Sequence, residues 1–290
     1  MEAQPFTTKQ KIFNFPLIKI ILALIVTMAL VIIGQQVIGK LLGLTSLDRN
    51  YRNLIKGIFV SALAITGYIL FFKYYEKRKV TELATNNLAK NLIVGILIGV
   101  ILQSLTILVI YINGGFNIVA VNPVSFIIIP LTVAFTAAIL EEILIRGILF
   151  RVLEEKLGSY NALIISAIIF GALHLANPSA TLVSALCVAI EAGILLGAAF
   201  MYSRNLWFPI AIHFAWNFMQ SGVFGAITSG NEKTESLLVT KTVGSVWITG
   251  GEFGPEGSFQ AIIFCSIASV ILLFLCQKGN KIVKPYWKNK

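Results

Sequence analysis

Two adjacent carboxylates, Glu141 and Glu142, sit in SFIIIPLTVAFTAAILEEILIRGILF, a stretch long enough to cross a bilayer. An ionised carboxylate near the membrane centre costs about 2.5–3.5 kcal/mol on insertion scales, so groups kept there usually have a task. The chain has 2 histidines. Both, His174 in FGALH and His213 in HFAWN, also fall inside apolar segments. Helical spacing divides the roles. Glu142 and Arg146 stand at i and i+4 with the acid N-terminal, the favourable order for a pair along one face. Glu141 lies about 100° around the helix, and position 145 offers it isoleucine and no cation. It is free to act on something else. The same spacing puts His213 and Asn217 on one helix face, and Phe170 with His174 on another.

The chemistry open to such a set is narrow. No serine stands beside a usable base, since Ser221 in MQSG is one turn beyond Asn217 and reads as helix packing. Cys187, Cys265 and Cys276 lie in apolar segments away from the histidines and without CxxC spacing, so they read as buried small hydrophobes. What remains is a carboxylate that can take a proton from water, with imidazoles and an amide that can polarise a carbonyl. That is water-dependent amide hydrolysis. A divalent metal such as zinc is a second way to run it, with Glu141, His174 and His213 as three ligands and an open position for water. HExxH is absent and the histidines come from separate segments, which leans toward hydrolysis without metal while leaving both open. No other cofactor is implied.

The elements that must position these groups are membrane helices. The chain is 290 residues, 57% hydrophobic and only 12% charged, far from soluble norms. Eight apolar runs of roughly bilayer length recur, near 16–38, 54–72, 91–112, 125–151, 161–178, 180–202, 206–224 and 259–276. The fold class is therefore all-α: one polytopic membrane domain over 1–290, with about eight transmembrane helices and a polar site buried between helices 4, 5 and 7. With about 1.5 Å rise per residue, Glu141 lies roughly 16 Å deep, His174 roughly 20 Å, His213 roughly 10 Å and Asn217 roughly 16 Å. Three helices thus bring their rare polar side chains to one layer.

Charge orients the chain. Of 23 Lys and Arg, 17 fall on the side that would carry both termini and 6 on the other, the positive-inside bias that places both termini in the cytoplasm. The net +10 is spread in that pattern, so no nucleic-acid partner is implied. Lys9, Lys11 and Lys19 precede the first run, which continues into GQQVIGK without a small-residue cleavage site and reads as a retained span. The connector 73–87 puts Lys77, Arg78 and Lys79 where anionic lipid head groups would meet them. The outer loop 225–258 reads as irregular turns, and the tail as a basic anchor with interfacial Tyr286 and Trp287.

EEILIRG, FGALH and HFAWN, in this order on hydrophobic segments, resemble the CAAX-protease and bacteriocin-processing family of intramembrane proteases. The resemblance covers about 125–220. It implies that Glu141 activates the water, that His174, His213 and Asn217 bind or polarise the scissile carbonyl, and that Glu142 and Arg146 support the site. It also implies a peptide or protein substrate, in one branch of the family a prenylated one, met at the membrane lipid. Two other classes stand beside this reading. A scaffold or bacteriocin self-immunity protein could keep the cluster as a structural core, and a proton-coupled transporter would also bury carboxylates and histidines, although no repeat symmetry supports it. Glu191 in CVAIEAGILLG has no family role. It reads as hydrogen-bonded to a neighbouring helix or bordering the cavity, with substrate or proton handling as the other reading. Trp207, Pro209 and Trp216 read as packing and membrane-interface residues.

Overall fold

The structure is a computed structural model that describes residues 15–288. Lys9, Lys11 and Lys290 lie outside the described residues. Helix α1 (Pro16–Gly43) opens on a proline, whose missing N–H costs nothing in a first turn. It packs against α2 (Arg49–Tyr74), where the Asp48 carboxylate caps the start by accepting from the Asn50 N–H at 2.8 Å. Helix α3 (Leu88–Ile112) leads to strand β1 (Phe116–Val121). Helix α4 (Ile128–Glu142) widens into a π-helical segment, Ile143–Phe150, and continues as α5 (Arg151–Leu173). Next come α6 (Leu182–Val188), a second π-helical segment (Ala189–Ile194) and α7 (Leu195–Ser203). Helix α8 (Trp207–Asn217) ends in a third, Phe218–Val223. Strand β2 (Leu238–Thr242), the single turn α9 (Val246–Thr249) and α10 (Phe259–Lys278) complete the order.

Among the described residues, six helical runs are long and apolar enough to cross a membrane, where eight apolar runs were expected. The runs 125–151 and 161–178 both fall within one of them, Val124–Ala176, whose 53 residues exceed a single crossing and whose backbone breaks between the two runs, at Gly158 with φ 76° and ψ 168°. That conformation suits a residue without Cβ, and a Cβ there would come within 2.9 Å of the Val283 carbonyl oxygen. The run 206–224 emerges as 11 residues of α-helix and 6 of π-helix. The all-α expectation also meets an exception. Residues FNIVAV, rich in β-branched side chains, pair as β1 antiparallel to β2, with an irregularity between Ile118 and Ala120. The outer loop 225–258 is therefore partly ordered, since it supplies β2 and α9.

Apolar side chains occupy both the inside and the outside of the bundle. Tyr68, Phe72, Phe150, Phe170 and Met201 are fully buried, while Ile25, Ile33, Leu97, Ile164 and Ile168 stay exposed on outward faces. A helical bundle that is apolar all round is suited to lipid. Helix α3 lies close along α8 because Gly99 leaves room, a Cβ there being only 2.5 Å from the Ile212 carbonyl oxygen. That contact seats the helix that carries His213.

Where α1 begins and α2 ends, charges cluster. Glu76 accepts from Lys19 Nζ at 2.8 Å, Arg78 Nε at 2.9 Å and Arg151 at 3.0 Å. Arg78 also bonds both oxygens of Glu82, whose carboxyl pairs with the buried Tyr68 hydroxyl. Arg78 is thus turned inward, contrary to the expectation that it meets head groups; it has more to gain from two carboxylates than from exposed lipid.

Candidate active site

The i, i+4 spacing of Glu142 and Arg146 produces a fully buried ion pair at 2.8 Å. Arg146 also donates to the carbonyls of Ala192 at 3.0 Å and Gly193 at 3.2 Å, and its guanidinium lies 4.6 Å from the Phe170 ring centroid. One cation thereby ties the first π-helical segment to the second and to α5. The buried carboxylate has a second partner: His213 Nδ1 stands 2.9 Å from Glu142 Oε1. A carboxylate oxygen accepts, so the proton of that bond belongs to Nδ1, and Nε2 turns toward Glu141, 3.8 Å from its Oε2. A single water can bridge such a gap.

Glu141 differs from its neighbour in exposure. Its side chain is 36% exposed against 0% for Glu142, because one step along the helix turns it from the packed interface to open space. That space is a cavity of about 1240 Å³, bordered also by His174, His213 and Asn217. His174 ends α5, and its Nδ1 lies 2.8 Å from the Phe170 carbonyl oxygen. Phe170 stacks edge-on against His174 at 4.7 Å and against His213 at 6.2 Å, a wedge that fixes both rings. The six motif residues thus fall into two sets: Glu141, His174, His213 and Asn217 face the cavity, and Glu142 with Arg146 lies behind it.

Among the described residues, no three His, Cys, Asp or Glu side chains converge as metal ligands would. Both histidine Nδ1 atoms are committed, to Phe170 O and to Glu142, which leaves Nε2 as the free nitrogen of each ring. All three cysteines are buried and free.

The cavity has two unlike ends. Leu17, Ile20, Leu24, Leu144 and Leu149 make one apolar, where α1 covers the site. The other is polar and includes Thr228, Ser229, Glu191 and Glu256. Glu256 is 4% exposed and accepts from the Ser229 N–H at 2.5 Å, with the Trp216 indole beside it. Burial pushes its carboxyl above the ordinary carboxylate range. Trp216, expected to serve packing and the membrane interface, borders the site as well. Glu256 and Ser229 gave no signal in the sequence, since PEG and TSGN carry ordinary turn chemistry. Glu191 does not bond a neighbouring helix; its Oε2 has no hydrogen-bond partner among the described residues. It sits in the second π-helical segment, and the other two adjoin the motif residues, as wide turns at functional sites often do.

No curated protein and no solved structure matches the chain. Residues 123–219 match the family model described as Type II CAAX prenyl endopeptidase Rce1-like, the family that the three motifs resemble.

Proposed function

We propose that the chain is an intramembrane endopeptidase that hydrolyses a peptide bond near the C-terminus of a membrane-associated, lipid-modified peptide or protein. The observation that carries this reading is the contrast within one dipeptide. Glu142 is spent on Arg146 and His213, whereas Glu141 opens into the cavity beside an imidazole nitrogen.

In the proposed reaction Glu141 takes a proton from a water held between its carboxylate and His213 Nε2. The water oxygen bonds to the scissile carbonyl carbon, and the negative charge moves to the carbonyl oxygen. The Asn217 amide donates to that oxygen. Because Phe170 O can only accept, the proton of that contact sits on His174 Nδ1, which orients the ring beside the scissile carbonyl. Breaking the C–N bond returns the proton from Glu141 to the leaving amine. Glu142 and Arg146 hold His213 in place. The apolar end of the cavity suits a lipid chain on the substrate, and the residues present require no metal. The same reading takes 1–290 as one domain with its catalytic core over about 125–220. Both termini lie on the cytoplasmic side, where Lys19, Arg78 and Arg151 gather around Glu76.

The test is cleavage of a panel of prenylated CAAX peptides by detergent-purified protein. Glu141→Gln is expected to lower the rate by about 10²–10⁴-fold, with an unchanged elution profile. A folded Glu141→Gln protein that retains its activity would overturn the proposal in favour of a scaffold.

A further inference from the structure

Glu191 is a carboxyl that the proposed hydrolysis does not use, in a place where an idle carboxyl is costly. It is 2% exposed, borders the cavity and leaves Oε2 without a hydrogen-bond partner. The charge acting on it is that of a second buried acid, Glu256. A buried carboxylate needs a cation or a full set of hydrogen bonds to offset its lost hydration. Among the described residues, no cation pairs with Glu191. Lys233, the nearest lysine in sequence to this polar end, donates its amine to the Thr240 carbonyl at 2.6 Å. His174, the basic group that acts on Glu256, is held by Phe170 O.

The acid pair is also built, not loose. Asn177 Nδ2 donates to the Ser229 carbonyl at 2.6 Å, and Ser229 N–H in turn donates to Glu256. The loop that carries Glu256 turns at Gly254 with φ 106°, where a Cβ would come 2.1 Å from the Ile227 carbonyl oxygen. Two carboxyls are therefore presented from two directions to one open space, within the cavity that holds Glu141.

We propose that Glu191, backed by Glu256, forms a subsite that accepts the cationic side chain of a lysine or arginine near the scissile bond of the substrate. This selectivity rests on the peptidase reading for its link to cleavage, but the binding itself does not depend on catalysis. A cationic side chain supplies both the counter-charge and the donors that Glu191 lacks. An aliphatic side chain of the same length supplies neither and leaves the carboxyl stranded.

Binding is measured by fluorescence anisotropy on full-length Glu141→Gln protein in detergent. The probes are N-acetylated lipid-modified peptides that carry lysine, arginine or norleucine at each position flanking the bond in turn. At one position the lysine or arginine peptide is expected to bind about tenfold or more tighter than its norleucine twin. Adding Glu191→Gln should bring that ratio close to one, and Glu256→Gln should reduce it. Equal binding of the twins at every position, or no peptide binding at all, overturns the subsite, and neither result requires a new variant to fold. A preference that survives both substitutions overturns the assignment to these acids. Cleavage by wild type without any lysine preference sinks the subsite and leaves the peptidase. Selective binding without cleavage by wild type keeps the subsite and sinks the peptidase.

Discussion

At the end of the bundle where α1 begins, acids are surrounded by cations; inside the cavity, they are not. Glu76 bonds Lys19, Arg78 and Arg151, Glu82 bonds Arg78, and Glu154 bonds Arg204 at 2.5 Å. Glu191 and Glu256 border the same cavity, each a buried acid, and Glu141 stands 3.8 Å from the His213 imidazole. The first region behaves like a clamp that holds the starts of α1 and α5 to the end of α2. The second leaves its carboxyls without such partners, the arrangement on which the proposed subsite rests. Glu142 is paired with a cation as the clamp acids are, yet it lies directly behind the cavity wall, between the two regions.

The largest stability effect should come from breaking that junction. Arg146→Ala leaves Glu142 buried without its cation and also strands two carbonyls. A loss of about 3–5 kcal/mol is expected, read as a fall in the thermal midpoint in detergent. The double variant Glu142→Leu/Arg146→Met should recover most of it, because no charge is then left unpaired. A single variant as stable as wild type would show that the pair does not hold the helices together.

The two regions should also respond oppositely to pH. Burial alone would raise the Glu76 carboxyl, but the Lys19 hydrogen bond and the charges of Arg151, Lys19 and Arg78 outweigh it and hold the group below the ordinary range. For Glu82 the bonds from Arg78 and Tyr68 likewise outweigh burial. A depressed carboxyl stabilises the fold above its unfolded value, and that stabilisation is lost as pH falls through the folded value. Glu256 is raised by burial, so its contribution is fully present below the unfolded value and lost as pH rises through the folded one. Glu76→Gln should therefore flatten the acid side of a stability–pH curve, and Glu256→Gln the rise-of-pH side. The same slope change in both variants would erase the distinction. At the small end, Arg151 also pairs with Glu155, whose side chain is 44% exposed. Glu155→Gln should change stability by about 0.2–1 kcal/mol, a useful control for the clamp.

Much of this was legible along the chain. The apolar runs identify membrane helices because hydrocarbon tolerates only backbone that bonds to itself, and i, i+4 spacing assigns Glu142 to Arg146 while freeing Glu141. Where the helices break is less legible: hydropathy does not register that Gly158 divides the 53-residue run Val124–Ala176, nor that α8 opens into a π-turn. Strand β1 was hidden for a similar reason, since FNIVAV is as apolar as the helices on either side.

The sequence by itself determined which residues could do chemistry and how neighbours on one helix divide the work. Those properties depend on residue type and on a fixed helical period, both of which are local. Only the tertiary structure decided what faces what across helices: that His213 reaches Glu142, that Arg146 bonds the carbonyls beside Glu191, and that Glu256 from a turn-rich loop borders the same cavity as Glu191. Such contacts join residues far apart in the chain, and they arise from how helices and loops pack, which no local spacing encodes.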